Sequence, residues 1–121
     1  MTLSRMLAIG AAYDVLFGVA ILAFTAPAAA LLGLTVPADP IYLYLNGVFL
    51  LILGAVYAAA AADPGRYPAV APISAGGRVL GCVLFVWAWR GGGPRTFLAL
   101  GLVDLALGAA TLAAWRRFRL K

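Results

Sequence analysis

AAYDVLFGVAIL, residues 11–22, is the stretch that decides the fold, and GLVDLALGAATL, residues 101–112, repeats its pattern near the other end. Each carries one aspartate, Asp14 or Asp104, inside a run otherwise apolar and long enough to cross a bilayer. A carboxylate at the centre of a membrane helix costs about 2.5–3.5 kcal/mol even on the most lenient insertion scale. Such residues face the protein interior and mark function, so both aspartates are candidate site residues.

Working outward, the 121 residues are 65% hydrophobic and 11% charged, with a mean hydropathy of +1.04. That is the composition of an integral membrane protein, and the length is that of one domain, 1–121. Breakers separate four apolar segments, at roughly 5–25, 41–61, 70–89 and 96–115, each near the length a spanning helix needs. No stretch alternates with period two, and lipid admits only helices or closed barrels, so the expectation is an all-α bundle of four membrane helices. The first connection, APAAALLGLTVPADP, holds three prolines around the apolar run Ala28 to Leu34 and predicts a short interfacial segment. The second, ADPGRYP, reads as a tight polar turn. The third, RGGGPR, offers glycines for tight geometry and a proline suited to the first turn of the next helix.

Arg5, Arg66, Arg116, Arg117, Arg119 and Lys121 fall on one side of this layout, and Arg90 and Arg95 on the other. The positive-inside rule then predicts both termini in the cytoplasm of a bacterial inner membrane. Tyr42, Tyr44, Trp87 and Trp89 form the outer aromatic belt, Tyr67 and Trp115 the inner one. Four of the nine Lys and Arg crowd the last six residues, a juxtamembrane tail whose ordinary partner is membrane lipid with anionic headgroups. The net charge of +5 therefore points to no nucleic acid. Arg5, the run from Leu7 to Phe24 and the APAAA at 26–30 mimic a signal peptide, but an aspartate in the middle of the apolar region argues for a retained helix.

The chain has no His, and its four acidic residues are all aspartates, so no metal or cofactor is expected. Lone Cys82 reads as packing. Walker, dinucleotide, CxxC and Ser/His/Asp patterns are missing, which removes nucleotide and triad chemistry.

Arg78 is the one basic residue inside a span. Counted at 1.5 Å per residue from the start of its helix it lies about 12 Å deep, close to the depth of Asp14, while Asp104 comes out a few Å nearer the outer face. The expectation is an Asp14–Arg78 ion pair, with Asp104 unpaired and free to exchange a proton or meet a cationic ligand. The bland alternative has Arg78 snorkelling to the surface. Gly10 and Gly18 flank Asp14, and Gly101 and Gly108 flank Asp104, at the spacing of helix-packing grooves. Asn46 and Tyr57 lie three turns apart on one face of the second helix, and Asn46 is expected to reach toward Asp104. Tyr13 points about 100° away from Asp14 and is a weaker candidate. Gly81, Cys82, Phe85 and Trp89 share the Arg78 face and line a pocket or simply form core. A shift of ninety residues aligns Arg5 with Arg95, Asp14 with Asp104 and Gly18 with Gly108 on helices of opposite direction, as in an inverted repeat, although helices two and three show no counterpart.

YDxxxG from Tyr13, LGxxY from Leu53, the turn DPGRYP, GRxxG from Gly77 and DxxxG from Asp104 together resemble small bacterial four-helix membrane proteins of the DoxX-like kind. The resemblance runs from Tyr13 to Trp115 and implies a fold; a few such relatives accompany quinone-linked oxidoreductases. Small multidrug-resistance exporters also have four short helices and an acidic residue placed like Asp14, but they carry Glu, very short loops and a different third helix. The functional expectation is a midplane site of Asp14, Arg78 and Asp104, with Asn46 and Tyr57, that binds a small lipophilic molecule or serves as a contact for a homodimer or a membrane-protein partner. A proton-coupled carrier of lipophilic cations is the second reading. An intramembrane acid-base enzyme of isomerase or epoxide hydrolase type, with Asp104 and Asp14 as catalytic candidates, is the third.

Overall fold

A computed structural model describes residues 2–121. It is all-α: α1 (Leu3–Ala23), α2 (Thr25–Leu31), α3 (Ile41–Ala62), α4 (Val70–Arg90) and α5 (Arg95–Arg119). The four long helices have 21, 22, 21 and 25 residues, and each is long and apolar enough to cross a membrane. Their bounds fall within a few residues of those expected from hydropathy. The short helix begins earlier than expected, at Thr25 rather than Ala28. Pro27 falls in its first turn, where the missing N–H has no intrahelical partner to lose, so proline opens this helix instead of delaying it. Pro94 is likewise the residue before α5 rather than part of its first turn.

Two connections end in the same device. Gly33 and Gly92 have φ of +72° and +104°. The following N–H reaches back to close each helix end, Leu34 N to Ala29 O at 2.8 Å and Gly93 N to Ala88 O at 3.0 Å. A positive φ at this position is the reason glycine stands there. The polar turn after α3 is closed by Asp63, whose Oδ1 accepts from Arg66 N at 3.3 Å.

α1 packs along α3 and α4 along α5, giving two antiparallel hairpins that meet through α1 and α5; α3 and α4 touch only sparsely. The buried stripes are unusual in chemistry. α1 buries Gly10, Asp14 and Gly18, α4 buries Ala71, Ser74, Ala75 and Arg78, and α5 buries Gly101, Asp104, Gly108 and Thr111. Leu16, Phe49, Ile73, Leu80 and Leu84 are exposed. The interior is more polar than the exterior, as suits helices apolar enough to cross a membrane that associate by close backbone approach.

Along its length the bundle has three levels. At the end that holds both termini, Leu3, Met6, Leu7, Ala60, Ala71 and Ala114 form an apolar plug. The charged residues lie at mid-length. Beyond them the hairpins part, and α2 with the chain after it covers the gap.

Glycine sets the interhelical distances. A Cβ on Gly18 would lie 2.9 Å from the Gly47 carbonyl oxygen of α3, a backbone atom that cannot swing away. At Gly76 nothing lies within 4 Å. Gly18→Ala is therefore expected to lower unfolding stability in detergent by about 1–3 kcal/mol, the usual cost of overpacking. Gly76→Ala should leave it unchanged or slightly raised, read by thermal melting of the two variants side by side.

Candidate functional site

Arg78 joins the hairpins. Its Nη1 donates to Asp14 Oδ1 on α1 at 2.9 Å and to Asp104 Oδ1 on α5 at 3.3 Å, and its Nη2 donates to the Gly10 carbonyl at 3.2 Å. The three residues are 3%, 8% and 9% exposed for Asp14, Arg78 and Asp104. Snorkelling is thereby excluded. The expected Asp14–Arg78 pair is present, but the expectation that Asp104 stands unpaired is corrected: one guanidinium nitrogen serves both carboxylates. Depth counting placed Asp104 too far off because it treated Arg78 as a point, whereas its fork spans the interval.

The surrounding chain is cut away to admit this cluster. A Cβ on Gly10 would lie 3.1 Å from Arg78 Nη2, one on Gly81 would lie 2.8 Å from Asp104 Oδ2, and one on Gly108 would lie 3.0 Å from Arg78 Cβ. The guanidinium also lies against two phenol rings, 5.3 Å from the centroid of Tyr13 and 5.8 Å from that of Tyr57, within cation–π range. The second oxygens of Asp14 and Asp104 accept from no protein group among the described residues, yet neither is a fully buried unsatisfied atom. They keep accessible surface, and Asp14, Arg78 and Asp104 all line a cavity.

That cavity has a volume of about 460 Å³. Asp14, Arg78 and Asp104 form its polar end, Tyr13, Phe17, Phe85 and Phe97 its aromatic walls, and Ala28, Ala29 and Leu32 of the α2 segment part of its cover. The cover is tied at both ends. Thr25 Oγ1 donates to the Ile21 carbonyl of α1, and Thr96 Oγ1 donates to the Leu32 carbonyl, joining the cover to the start of α5. Leu43, Asn46 and Leu50 of α3 and Phe85 of α4 line the cavity, and these two helices touch each other only sparsely.

The remaining sequence candidates divide. Asn46 lines the cavity but makes no side-chain hydrogen bond among the described residues, so the expected bond toward Asp104 is not formed. Tyr57 is buried beneath Arg78 and is not among the lining residues; it supports the site rather than facing a ligand. The common face of Asn46 and Tyr57 spans both levels of the bundle, which is why only one of them reaches the cavity. Phe85 lines it, while Gly81 makes room for Asp104 and Trp89 lies outside. Tyr13, the weaker candidate, is a wall residue in contact with the guanidinium. Phe17, Phe97 and Leu100 were missed, although Phe17 lies three residues after Asp14, and Phe97 and Leu100 seven and four before Asp104, all same-face spacings. Thr96 carried no such signal, because its role is to bond the Leu32 carbonyl in a connection whose path the sequence leaves open.

The cluster can hold a guanidinium, bind a cation at the free carboxylate oxygens or carry a proton there. Two carboxylates facing one guanidinium leave one negative charge for such a partner to balance. No group of His, Cys, Asp and Glu suited to a metal is present among the described residues. The chain matches no protein-family model, no curated protein and no solved structure.

Removing Arg78 alone strands both carboxylates in a water-poor interior. Arg78→Met is expected to cost about 3–5 kcal/mol of stability, the range for breaking a buried ion pair. The triple variant Asp14→Asn, Arg78→Met, Asp104→Asn should recover most of the loss, because no uncompensated charge remains. Thermal or denaturant unfolding of the purified variants in detergent measures both, and a triple variant no better than Arg78→Met would show that charge is not the cause.

Proposed function

We propose that this chain is a multi-pass protein of the bacterial cytoplasmic membrane, with both termini cytoplasmic and a DoxX-like layout, that binds a small lipophilic molecule in its central cavity. The observation that carries the reading is the cavity itself, about 460 Å³, walled mainly by aromatic and aliphatic side chains and charged only at the Asp14, Arg78 and Asp104 end. Small-molecule sites fall at roughly 300–1,000 Å³ with this same division of labour between apolar walls and a few polar groups. The weakly packed α3–α4 side supports entry from the lipid phase, which suits a membrane-dissolved ligand. The residual negative charge favours a ligand whose head is cationic, with the rings of Tyr13, Phe17, Phe85 and Phe97 around it.

A carrier of lipophilic cations is the second reading, favoured by the two carboxylates that share one guanidinium, since one of them can exchange a cation for a proton. An acid-base enzyme ranks behind both. Its two carboxylates would need a common point for a substrate atom, and Arg78 Nη1 occupies that point. An assembly role with a homodimer or membrane-protein partner would leave the cavity without a ligand.

Tetraphenylphosphonium and tetraphenylborate have the same shape and opposite charge. Titrated into the purified protein in neutral detergent, the phosphonium is expected to bind more tightly, and Asp104→Asn to weaken it by about tenfold or more, roughly 1.4 kcal/mol. Equal binding of the two ions, or equal phosphonium binding by wild type and variant, overturns the cationic head. Proton-driven uptake of the phosphonium into proteoliposomes separates binder from carrier: uptake lost in Asp14→Asn and Asp104→Asn supports transport, and uptake identical in wild type and both variants removes it.

A further inference from the structure

At the end of the bundle away from the central cavity lies a second one, of about 440 Å³. Its floor is the outer lip of the apolar plug, Leu3, Leu7 and Ala71, which are 4%, 2% and 2% exposed. Pro64, Tyr67 and Pro68 from the α3–α4 turn form one wall, and Trp115 and Phe118 from α5 the other. Arg119 and Lys121 belong to its lining, and the Arg119 guanidinium lies 4.7 Å from the centroid of the Trp115 ring, which places that charge beside the cavity. An apolar recess with two cations in its lining and an indole and a phenol beside them has the chemistry of the bilayer interface, where apolar chain, glycerol and phosphate meet.

The charge around it is predominantly positive. Arg5, Arg66, Arg116 and Arg117 belong to the same end of the bundle, and the one carboxylate side chain in the adjoining turn, Asp63, is engaged in closing that turn through Arg66 N. A phosphate is the complement that this recess lacks.

We propose that this recess is a binding site for one anionic phospholipid, its phosphate on Arg119 and Lys121 and the upper part of an acyl chain on Leu3, Leu7 and Ala71. This differs from a diffuse attraction between a basic tail and a charged surface. A diffuse attraction counts charges wherever they lie near the membrane, at about 1 kcal/mol each. A built site depends on the two charges in its lining. Nothing in the site uses Asp14, Arg78 or Asp104, so it stands apart from the central cavity and from any ligand there.

The distinction can be measured by native mass spectrometry of the full chain released from detergent containing phosphatidylglycerol and phosphatidylcholine in equal amounts. Wild type is expected to retain one phosphatidylglycerol in preference to phosphatidylcholine. Arg119→Gln with Lys121→Gln should lower that preference by about tenfold or more, whereas Arg5→Gln with Arg116→Gln, an equal loss of charge at the same end but outside the lining, should change it by about threefold or less. All four positions are solvent-exposed, so the fold tolerates each exchange. Equal losses in the two double variants would overturn the site in favour of diffuse attraction, as would no preference in wild type. Inorganic phosphate added at millimolar concentration separates a lipid from a free anion: bound phosphatidylglycerol unaffected by it supports the lipid, and displacement by it shows that phosphate alone is the ligand and sinks the lipid assignment.

Discussion

One guanidinium shared between two carboxylates holds the two halves of this molecule in register. Arg78 contacts Asp14 at 2.9 Å and Asp104 at 3.3 Å, and so links α1 of one hairpin to α4 and α5 of the other. In water such a cluster would contribute little, because solvent competes for each partner. Inside a bundle surrounded by hydrocarbon the competing state is an unpaired charge without water, which is far more costly than a weak pair. The cluster therefore acts less as a glue of given strength than as a constraint: any arrangement of the hairpins that separates these three residues is penalised.

The rest of the packing accommodates that constraint. Gly10, Gly81 and Gly108 leave room for the fork of Arg78 and for both carboxylates, and Tyr57 and Tyr13 lay their rings against the guanidinium. Gly18, Gly47 and Gly54 perform a separate task between α1 and α3, where a Cβ on any of them would meet α1 or α3 atoms at 2.9 Å or less. Small residues thus serve two ends in one bundle, backbone approach within a hairpin and clearance for charged groups between hairpins. The large aliphatic residues, which would form the core of a water-soluble domain, are left to face outward.

Hydropathy alone made the four long helices legible, since length and the absence of charge are read directly from composition. Depth along the helices made the Asp14–Arg78 pairing legible as well. What escaped was whatever depended on the rotation and separation of the helices. One arginine for two aspartates, with Asp14 the nearer in depth, leaves Asp104 unpaired on paper, yet a side chain with a forked end reaches both carboxylates. Asn46 and Tyr57 share a face, but a face says nothing about which level of the bundle is open and which is packed. The α2 segment was visible as a short apolar run, yet its use as a cover rests on the Thr96 hydroxyl meeting the Leu32 carbonyl and on Gly33 meeting Pro94, contacts between stretches more than sixty residues apart.

On the proposed function, the shared guanidinium would also tie stability to occupancy of the central cavity. A cation seated on the free oxygens of Asp14 and Asp104 would balance the charge that Arg78 leaves over, so the liganded bundle has less electrostatic reason to separate than the empty one. A ligand that binds only the folded, closed arrangement stabilises it by mass action in proportion to its affinity. Conversely, a substitution that loosens the hairpins lowers the population able to bind and weakens apparent affinity without touching the ligand. Gly18 on α1 and Gly81 on α4 are positions of this kind: neither lines the cavity, yet one sets how α1 lies on α3 and the other where the Asp104 carboxylate can stand. Affinity and fold in this bundle are two readings of the same interhelical spacing.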